Sequence, residues 1–345
     1  MNKIFIDSAS IDITYKCNFN CIHCYNSSGK LKKYRQELSD DEVLKIVDDI
    51  LNYTPRSMCI CGGETLLRKE LLYEIGKKVK LKSPKTSLNM VTNGFLMTEE
   101  IADNLKKSGY YMVQVSLDGV DPESHNWIRQ NEQAFIKAIN AIKILAEKNF
   151  YVGVACAPSK KNIKEFEKII KLCFELGVNI FRVQPMMVLG RAHLIKEYLL
   201  DDFEYFELVE KLDAMKKIYL HKMDIEWGDP IQHIEGYKIE EYKMNFLTIN
   251  AFGDILGSVY LPIDFGNLKS ASLKQYFTAG LNKIHHLKTM KKLISLVSGT
   301  KNMDVHDVNK KLPQLGVDEN IHLNILDENL TELDEKYYNQ FFEED

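Results

Sequence analysis

The chain has 345 residues, with 45 Lys and Arg against 49 Asp and Glu and a formal net charge of −4. That length suits one large domain or one domain with a smaller companion, and a hydrophobic content of 45% is ordinary for a chain with a buried core. The charge gives no general attraction to nucleic acid or an anionic membrane, no apolar run is long enough to span a bilayer, and Met1–Asp7 lacks the apolar stretch of a secretory signal, so the expected setting is the cytoplasm.

Short apolar runs alternate with helical patterns as far as about residue 185. The first expected strand is Ile11–Tyr15, followed by a polar loop carrying Cys17, Cys21 and Cys24. Ser39 and Glu42 form a capping box before a helix with Val43, Leu44, Val47 and Leu51 on its apolar face. Strands follow at Ser57–Cys61, Thr86–Val91 and Tyr110–Ser116. They run into Gly62-Gly63-Glu64, Thr92-Asn93-Gly94 and Leu117-Asp118-Gly119. Gln133–Lys148 reads as an amphipathic helix with Phe135, Ile139, Ile142 and Leu145 on one face. Phe150–Ala157 and Asn179–Pro185 read as strands. Between them a second capping box at Asn162 and Glu165 opens a helix that Gly177 stops.

Six strand–helix units in series imply an α/β fold whose parallel sheet curls into a full or partial barrel, because parallel strands need long crossovers. The site then belongs at the C-terminal ends of the strands, where the polar motifs fall. After Gly190-Arg191-Ala192 the alternation is expected to stop. A helix over Asp201–Leu220, a hairpin turning at Phe252-Gly253-Asp254 and a helix-rich tail follow.

Of the 7 cysteines, three fall within eight positions, which is no disulfide framework. Three thiolates on one loop suit an iron–sulfur cluster with one iron left open. Zinc remains an alternative, with His23 as an awkward fourth ligand, and so do unligated thiols. Cys59 and Cys61 are read as core, like Cys173, and Cys156 as a packed cysteine at the end of its strand.

The run from Thr14 to Tyr25, with Cys17-x-x-x-Cys21-x-x-Cys24, resembles the cluster loop of radical S-adenosylmethionine (SAM) enzymes. Gly62-Gly63-Glu64 resembles the family's Gly-Gly-Glu motif, with Thr65 where proline is usual. Thr92-Asn93-Gly94, Ser116-Leu117-Asp118-Gly119 and His125-x-x-x-Arg129 match further segments in order, so that the resemblance covers about residues 10–192. It implies a partial (β/α)6 TIM-like barrel over residues 1–192. In it Cys17, Cys21 and Cys24 hold one [4Fe-4S] cluster. SAM is contacted by His23, Tyr25, Gly62, Gly63, Glu64, Asn93, Ser116, Asp118 and Arg129. Glu64 would face the SAM ammonium, and Ser116 and Arg129 its ribose and carboxylate side. The implied activity is reductive cleavage of SAM to a 5′-deoxyadenosyl radical that removes hydrogen from a C–H bond. An electron donor such as flavodoxin or ferredoxin is implied as well. Cys156 is the candidate catalytic residue, as a hydrogen donor.

Residues 247–276 resemble the SPASM/twitch-like extension of peptide-modifying members, so residues 193–345 are expected to form a C-terminal α+β extension. This sequence has no cysteine after Cys173, and Ser258-Val259-Tyr260 stands where the pattern expects one, so a single cluster is expected. The resemblance implies modification of a ribosomally made precursor peptide, with no nucleic acid or membrane partner. The alternatives are a radical SAM enzyme acting on a small molecule and a non-catalytic metal scaffold. Tyr260 is a candidate for the barrel mouth. His193 is expected at the surface, and His285 and His286 on a solvated helix.

Overall fold

In a computed structural model, residues 4–29, 35–239, 242, 244–297, 299–300 and 321–342 are described. Strands β1 (Ser8–Asp12), β2 (Ser57–Cys61), β3 (Ser87–Thr92), β4 (Tyr110–Ser116), β5 (Tyr151–Cys156) and β6 (Ile180–Val183) lie side by side in chain order, each parallel to the next. The crossovers carry α1 (Asp40–Leu51), α2 (Lys69–Lys82), α3 (Glu99–Ser108), α4 (Pro122–Arg129), α5 (Ala134–Glu147) and α6 (Phe166–Glu175). This is the parallel α/β part-barrel expected, with β2 and β4 at the bounds read from sequence.

The alternation does not stop at residue 192. Helix α7 (Asp202–Ile218) leads into β7 (Asp224–Trp227), which adds parallel to β6. After α8 (Pro230–Gly236), β8 (Phe246–Ile249) adds parallel to β1 at the opposite edge. Both strands follow the expected domain boundary yet belong to the barrel sheet. Beyond β8 the sheet continues as a meander: β9 (Asp254–Leu256) and β10 (Ile263–Asn267) are antiparallel, and β11 (Ile321–His322) pairs parallel to β10. The Phe252-Gly253 turn forms as expected, with Gly253 at φ 93°. Helices α9 (Leu273–Ala279), α10 (Lys288–Ser295) and the C-terminal Leu330–Phe342 pack beside it.

Local chemistry explains several elements. Ser39 and Glu42 make the reciprocal capping box of α1, worth about 1 kcal/mol. The second expected capping box does not form. Asn162 instead spends its amide on the Asp118 and Ala157 carbonyls at 2.8 and 2.9 Å, locking the ends of β4 and β5 together. Asp254 accepts both Arg35 nitrogens at 2.7 and 2.8 Å and Nδ2 of Asn250 and Asn267, while Asp264 meets His322 at 2.6 Å. These carboxylates and His322 lie within 4.8 Å of one another. Their hydrogen bonds make them a network tying the meander to the segment before α1.

Alternation sorts the strand residues by face. Ala9, Ile11, Met58, Ile60, Leu88, Met90, Val113, Val115, Val152 and Val154 are buried in the apolar core. The opposite face is mixed, with Val91, Met112 and Ala155 among polar side chains. Ser10 and Asp12, Cys59 and Cys61, Asn89, Gln114 and Ser116, Arg182, and Thr248 line a cavity inside the barrel. Parallel sheets covered on both faces read as continuous apolar runs; the alternation here reflects a lumen on one side.

Candidate functional site

The cavity is about 640 Å³ and lies at the C-terminal ends of the strands. Cys17, Cys21 and Cys24 all border it. Their loop is held from three sides. Gly63 N donates to Thr14 O at 2.7 Å and Glu64 N to Lys16 O at 2.9 Å, joining it to the end of β2. Arg191 donates through Nε to Cys21 O at 2.7 Å, through a terminal nitrogen to Ser28 O at 2.8 Å, and through its backbone N to Cys24 O at 2.9 Å. On the third side Tyr15 packs edge-on against Phe252 of the C-terminal turn, ring centres 5.7 Å apart.

Three thiols on one short loop, bordering one cavity, are a soft donor set of the kind that holds an iron–sulfur cluster. Burial, with the charges of Cys21, Glu64 and Cys24, pushes the Cys17 thiol up to about 12, and burial raises Cys24 too. Such a set ionises readily only when a cation joins it.

Around the triad, His23, Tyr25, Gly62, Gly63, Asn93, Ser116 and Arg129 border the cavity. His23 Nδ1 is buried without a hydrogen-bond partner among the described residues, and burial lowers the ring's pKa to about 4, so the imidazole is neutral and offers an unused polar atom to a ligand. Gly62, at φ 136°, leaves room that a Cβ would fill against Thr14. Asn93 donates to Asn18 Oδ1 at 2.8 Å, and its Nδ2 stands 4.0 Å from Cys17 Sγ.

Two expected ligand contacts are turned elsewhere. Glu64 does not line the cavity. Its carboxylate is fully buried and accepts from Leu66 N at 2.9 Å, Thr92 Oγ1 at 2.8 Å and Asn93 N at 2.8 Å, pinning the turns after β2 and β3 to each other. Asp118 likewise lies behind the cavity wall. It accepts Arg129 Nε at 2.6 Å and Ala157 N at 2.9 Å. Although burial opposes its ionisation, Arg129, with His23 and His125, holds its carboxyl below the usual range. Arg129 thus reaches the cavity already paired, with its NH1 3.9 Å from Cys21 Sγ.

Other residues fall differently from their sequence reading. Cys59 and Cys61 face the lumen rather than the core, because residues two apart share a face. Cys156 touches the cavity margin but belongs to the apolar core, with Cys173 near it, as a packed cysteine would. His285 is buried, not solvated: it stacks on Tyr237 with ring centres 4.4 Å apart, and its Nε2 lies 3.0 Å from Gly257 O. His286 is exposed. His193 sits against Gly190 O, away from the cavity lining. Tyr260 does reach the mouth, where Gln184 Nε2 donates to its hydroxyl at 3.2 Å. Asp12 and Arg191 were not singled out from sequence. Alternation along β1 was the available signal for Asp12; for Arg191 there was none beyond its place after the last expected strand.

The model of the Radical SAM superfamily matches residues 11–181. The AdoMet-dependent heme synthase of Methanosarcina barkeri (strain Fusaro / DSM 804) is 30% identical over 284 residues, which cover 76% of this chain and 80% of that protein. The chain belongs to the radical SAM superfamily. This family uses a [4Fe-4S] cluster and SAM. A second relative, the sporulation killing factor maturation protein SkfB of Bacillus subtilis (strain 168), is 30% identical over 228 residues, 66% of this chain but only 52% of that protein. Among solved structures, Streptococcus suis SuiB bound to S-adenosylmethionine superposes with a TM-score of 0.66 at 14% identity, covering 87% of this chain and 76% of that one. Native anSMEcpe with bound AdoMet gives 0.62 at 16% identity, covering 96% of each. At these identities the structural likeness speaks for the fold. Among the described residues no helix is long and apolar enough to cross a membrane.

Proposed function

We propose that this radical SAM enzyme modifies a ribosomally made peptide by removing hydrogen from a C–H bond. When bound, the cluster and SAM would together supply a 5′-deoxyadenosyl radical. Cys17, Cys21 and Cys24 would hold the cluster, and His23, Gly62, Gly63, Asn93, Ser116 and Arg129 would surround SAM. Glu64 and Asp118 would act one step back. The first sets the two turns, and the second orients the Arg129 guanidinium. Leu256, Val259 and Tyr260 of the C-terminal region wall the cavity and would exclude water from it.

The kind of polar group in the lumen, set among apolar side chains, carries the choice of a peptide. Its hydrogen-bonding groups are mostly neutral hydroxyls and amides, suited to the alternating N–H and C=O of a peptide. Its three arginines are already committed: Arg129 to Asp118, Arg182 to Glu226 at 2.9 Å, and Arg191 to the cluster loop. A tetrapyrrole with several carboxylates or a nucleoside triphosphate would want uncommitted cations here. The likeness to SkfB, and to SuiB, which has been solved bound to precursor peptide SuiA, supports the same reading. The second reading is a small-molecule substrate, favoured by the fuller match to the heme synthase.

The test is incubation of the reconstituted enzyme with short peptides encoded beside its gene. A peptide mass change matched by 5′-deoxyadenosine formation is expected. Conversion of an iron tetrapyrrole with no change in any such peptide would overturn the proposal.

A further inference from the structure

Six carboxylates are buried among the described residues: Asp12, Glu64, Asp118, Asp254, Asp264 and Asp334. Five of them are matched inside the protein. Asp118 and Asp254 pair with Arg129 and Arg35, and Asp264 with His322. Backbone N–H groups donate to Glu64, and those of Lys288 and Thr289 donate to Asp334 at 2.7 and 2.9 Å. Among the described residues the Asp12 side chain has neither a cation nor a backbone donor, and only the Tyr15 hydroxyl stands by it. Asp12 is also the one carboxylate among them that lines the lumen. It ends β1 beside Cys61, the last residue of β2, so it stands at the C-terminal level of the barrel, where Gly62 and Gly63 meet the cluster loop. Burial pushes its carboxyl up to about 7 against the pull of Tyr15, as happens to a carboxylate with no cation beside it. The arginines of the lumen are held by Asp118, Glu226 and the cluster loop, which leaves the unmatched charge negative.

We propose that Asp12 determines substrate specificity by binding a cationic group of the substrate, the ammonium or guanidinium of a basic side chain. That the cation belongs to a peptide rests on the proposed function; the demand for a cation rests on the lumen alone. A carboxylate taken out of water gains most from a partner that brings both opposite charge and hydrogen-bond donors. Lysine and arginine bring both on a stem of methylenes, and Val91, Met112, Ala155 and Leu256 give such a stem an apolar wall. A neutral or acidic side chain in the same place leaves Asp12 unmatched, so the lumen selects by charge. Holding the cationic head at the end of β1 also fixes which part of the substrate lies nearest the cluster loop.

Two measurements test the assignment. The reconstituted, SAM-loaded enzyme is titrated with n-butylammonium chloride and with n-butanol, its neutral counterpart of like size, and binding is followed by saturation-transfer NMR. The wild type is expected to prefer the ammonium. Asp12→Asn keeps the shape of the side chain and drops its charge, and should bind the ammonium at least about tenfold more weakly. No preference in the wild type, or equal binding by the variant, would overturn the proposal. So would ammonium binding seen only without SAM, which would assign Asp12 to SAM's own cationic groups. In the second measurement, short peptides encoded beside the gene carry each lysine replaced by norleucine and each arginine by citrulline, one at a time. One replacement should lower kcat/KM of the wild type by about 10–100-fold and change that of Asp12→Asn little. Asp12→Glu, which keeps the charge, should keep the dependence. Peptides turned over with no replacement coupled to Asp12 would overturn the proposal and leave the peptide reading standing. An Asp12-dependent preference for n-butylammonium, with no peptide turned over, would refute the peptide reading and leave the cation site standing.

Discussion

Replacing Arg129 with alanine probes how the site is built. The guanidinium donates to Asp118 at 2.6 Å, and the Asp118 side chain is fully buried, with Ala157 N as the other donor to its carboxylate. Removing the arginine leaves a buried carboxylate without its counter-charge, which costs about 3–5 kcal/mol. At about 2.1 cal/mol/K per residue, the 345 residues give an unfolding entropy of about 0.7 kcal/mol/K, so Tm should fall by about 4–7 °C. The assay is thermal unfolding of the cofactor-free protein, in which SAM plays no part. Adding Asp118→Asn removes the stranded charge and should recover part of the loss, while the double variant still binds SAM poorly. A Tm within about 1 °C of wild type in Arg129→Ala, or a double variant no more stable than the single, would refute the view of Asp118 and Arg129 as a buried structural pair.

Gly63→Ala would place a Cβ over Lys16 O and 2.8 Å from the Lys16 carbonyl carbon, forcing the cluster loop off the end of β2. A loss of about 1–3 kcal/mol by denaturant titration, with weakened SAM binding, is expected; an unchanged protein would remove this contact from the account. The Asp264–His322 pair gives a pH prediction. Burial raises Asp264 to about 6, and the hydrogen bond to Asp264 raises His322. Both hold protons more tightly folded than unfolded, so their contribution is present below the unfolded values and lost as pH rises through the folded ones. Wild type should therefore lose more Tm than Asp264→Asn between about pH 5 and about pH 8. Equal slopes would refute the assignment.

What the sequence made legible was local. The cysteine loop, the glycine turn and the α1 capping box each lie within a few residues, so spacing alone exposes them. The missed features depend on which face a residue takes or on distant partners. The alternation in Ser57-Met58-Cys59-Ile60-Cys61 marks a strand with the core on one face and a lumen on the other. Reading both cysteines as core treated the strand as apolar on both faces. Strand β7 escaped because Asp224-Ile225-Glu226-Trp227 alternates with charges, as an edge strand at the end of the parallel stretch does. Strand β1 begins three residues before the apolar run that signalled it, because Ser8 and Ser10 face the lumen. The roles of Glu64 and Asp118 depend on donors 28 and 39 residues away. His285 is buried by Tyr237 and Gly257, which its lysine- and histidine-rich surroundings do not reveal.

The central claim is that Cys17, Cys21 and Cys24 assemble the centre that cleaves SAM. Its most direct test is 5′-deoxyadenosine formation by protein reconstituted without oxygen and reduced with dithionite, compared with the variant in which all three cysteines are alanine. The account predicts 5′-deoxyadenosine from the wild type and none from the triple variant. The same yield from both proteins would contradict it.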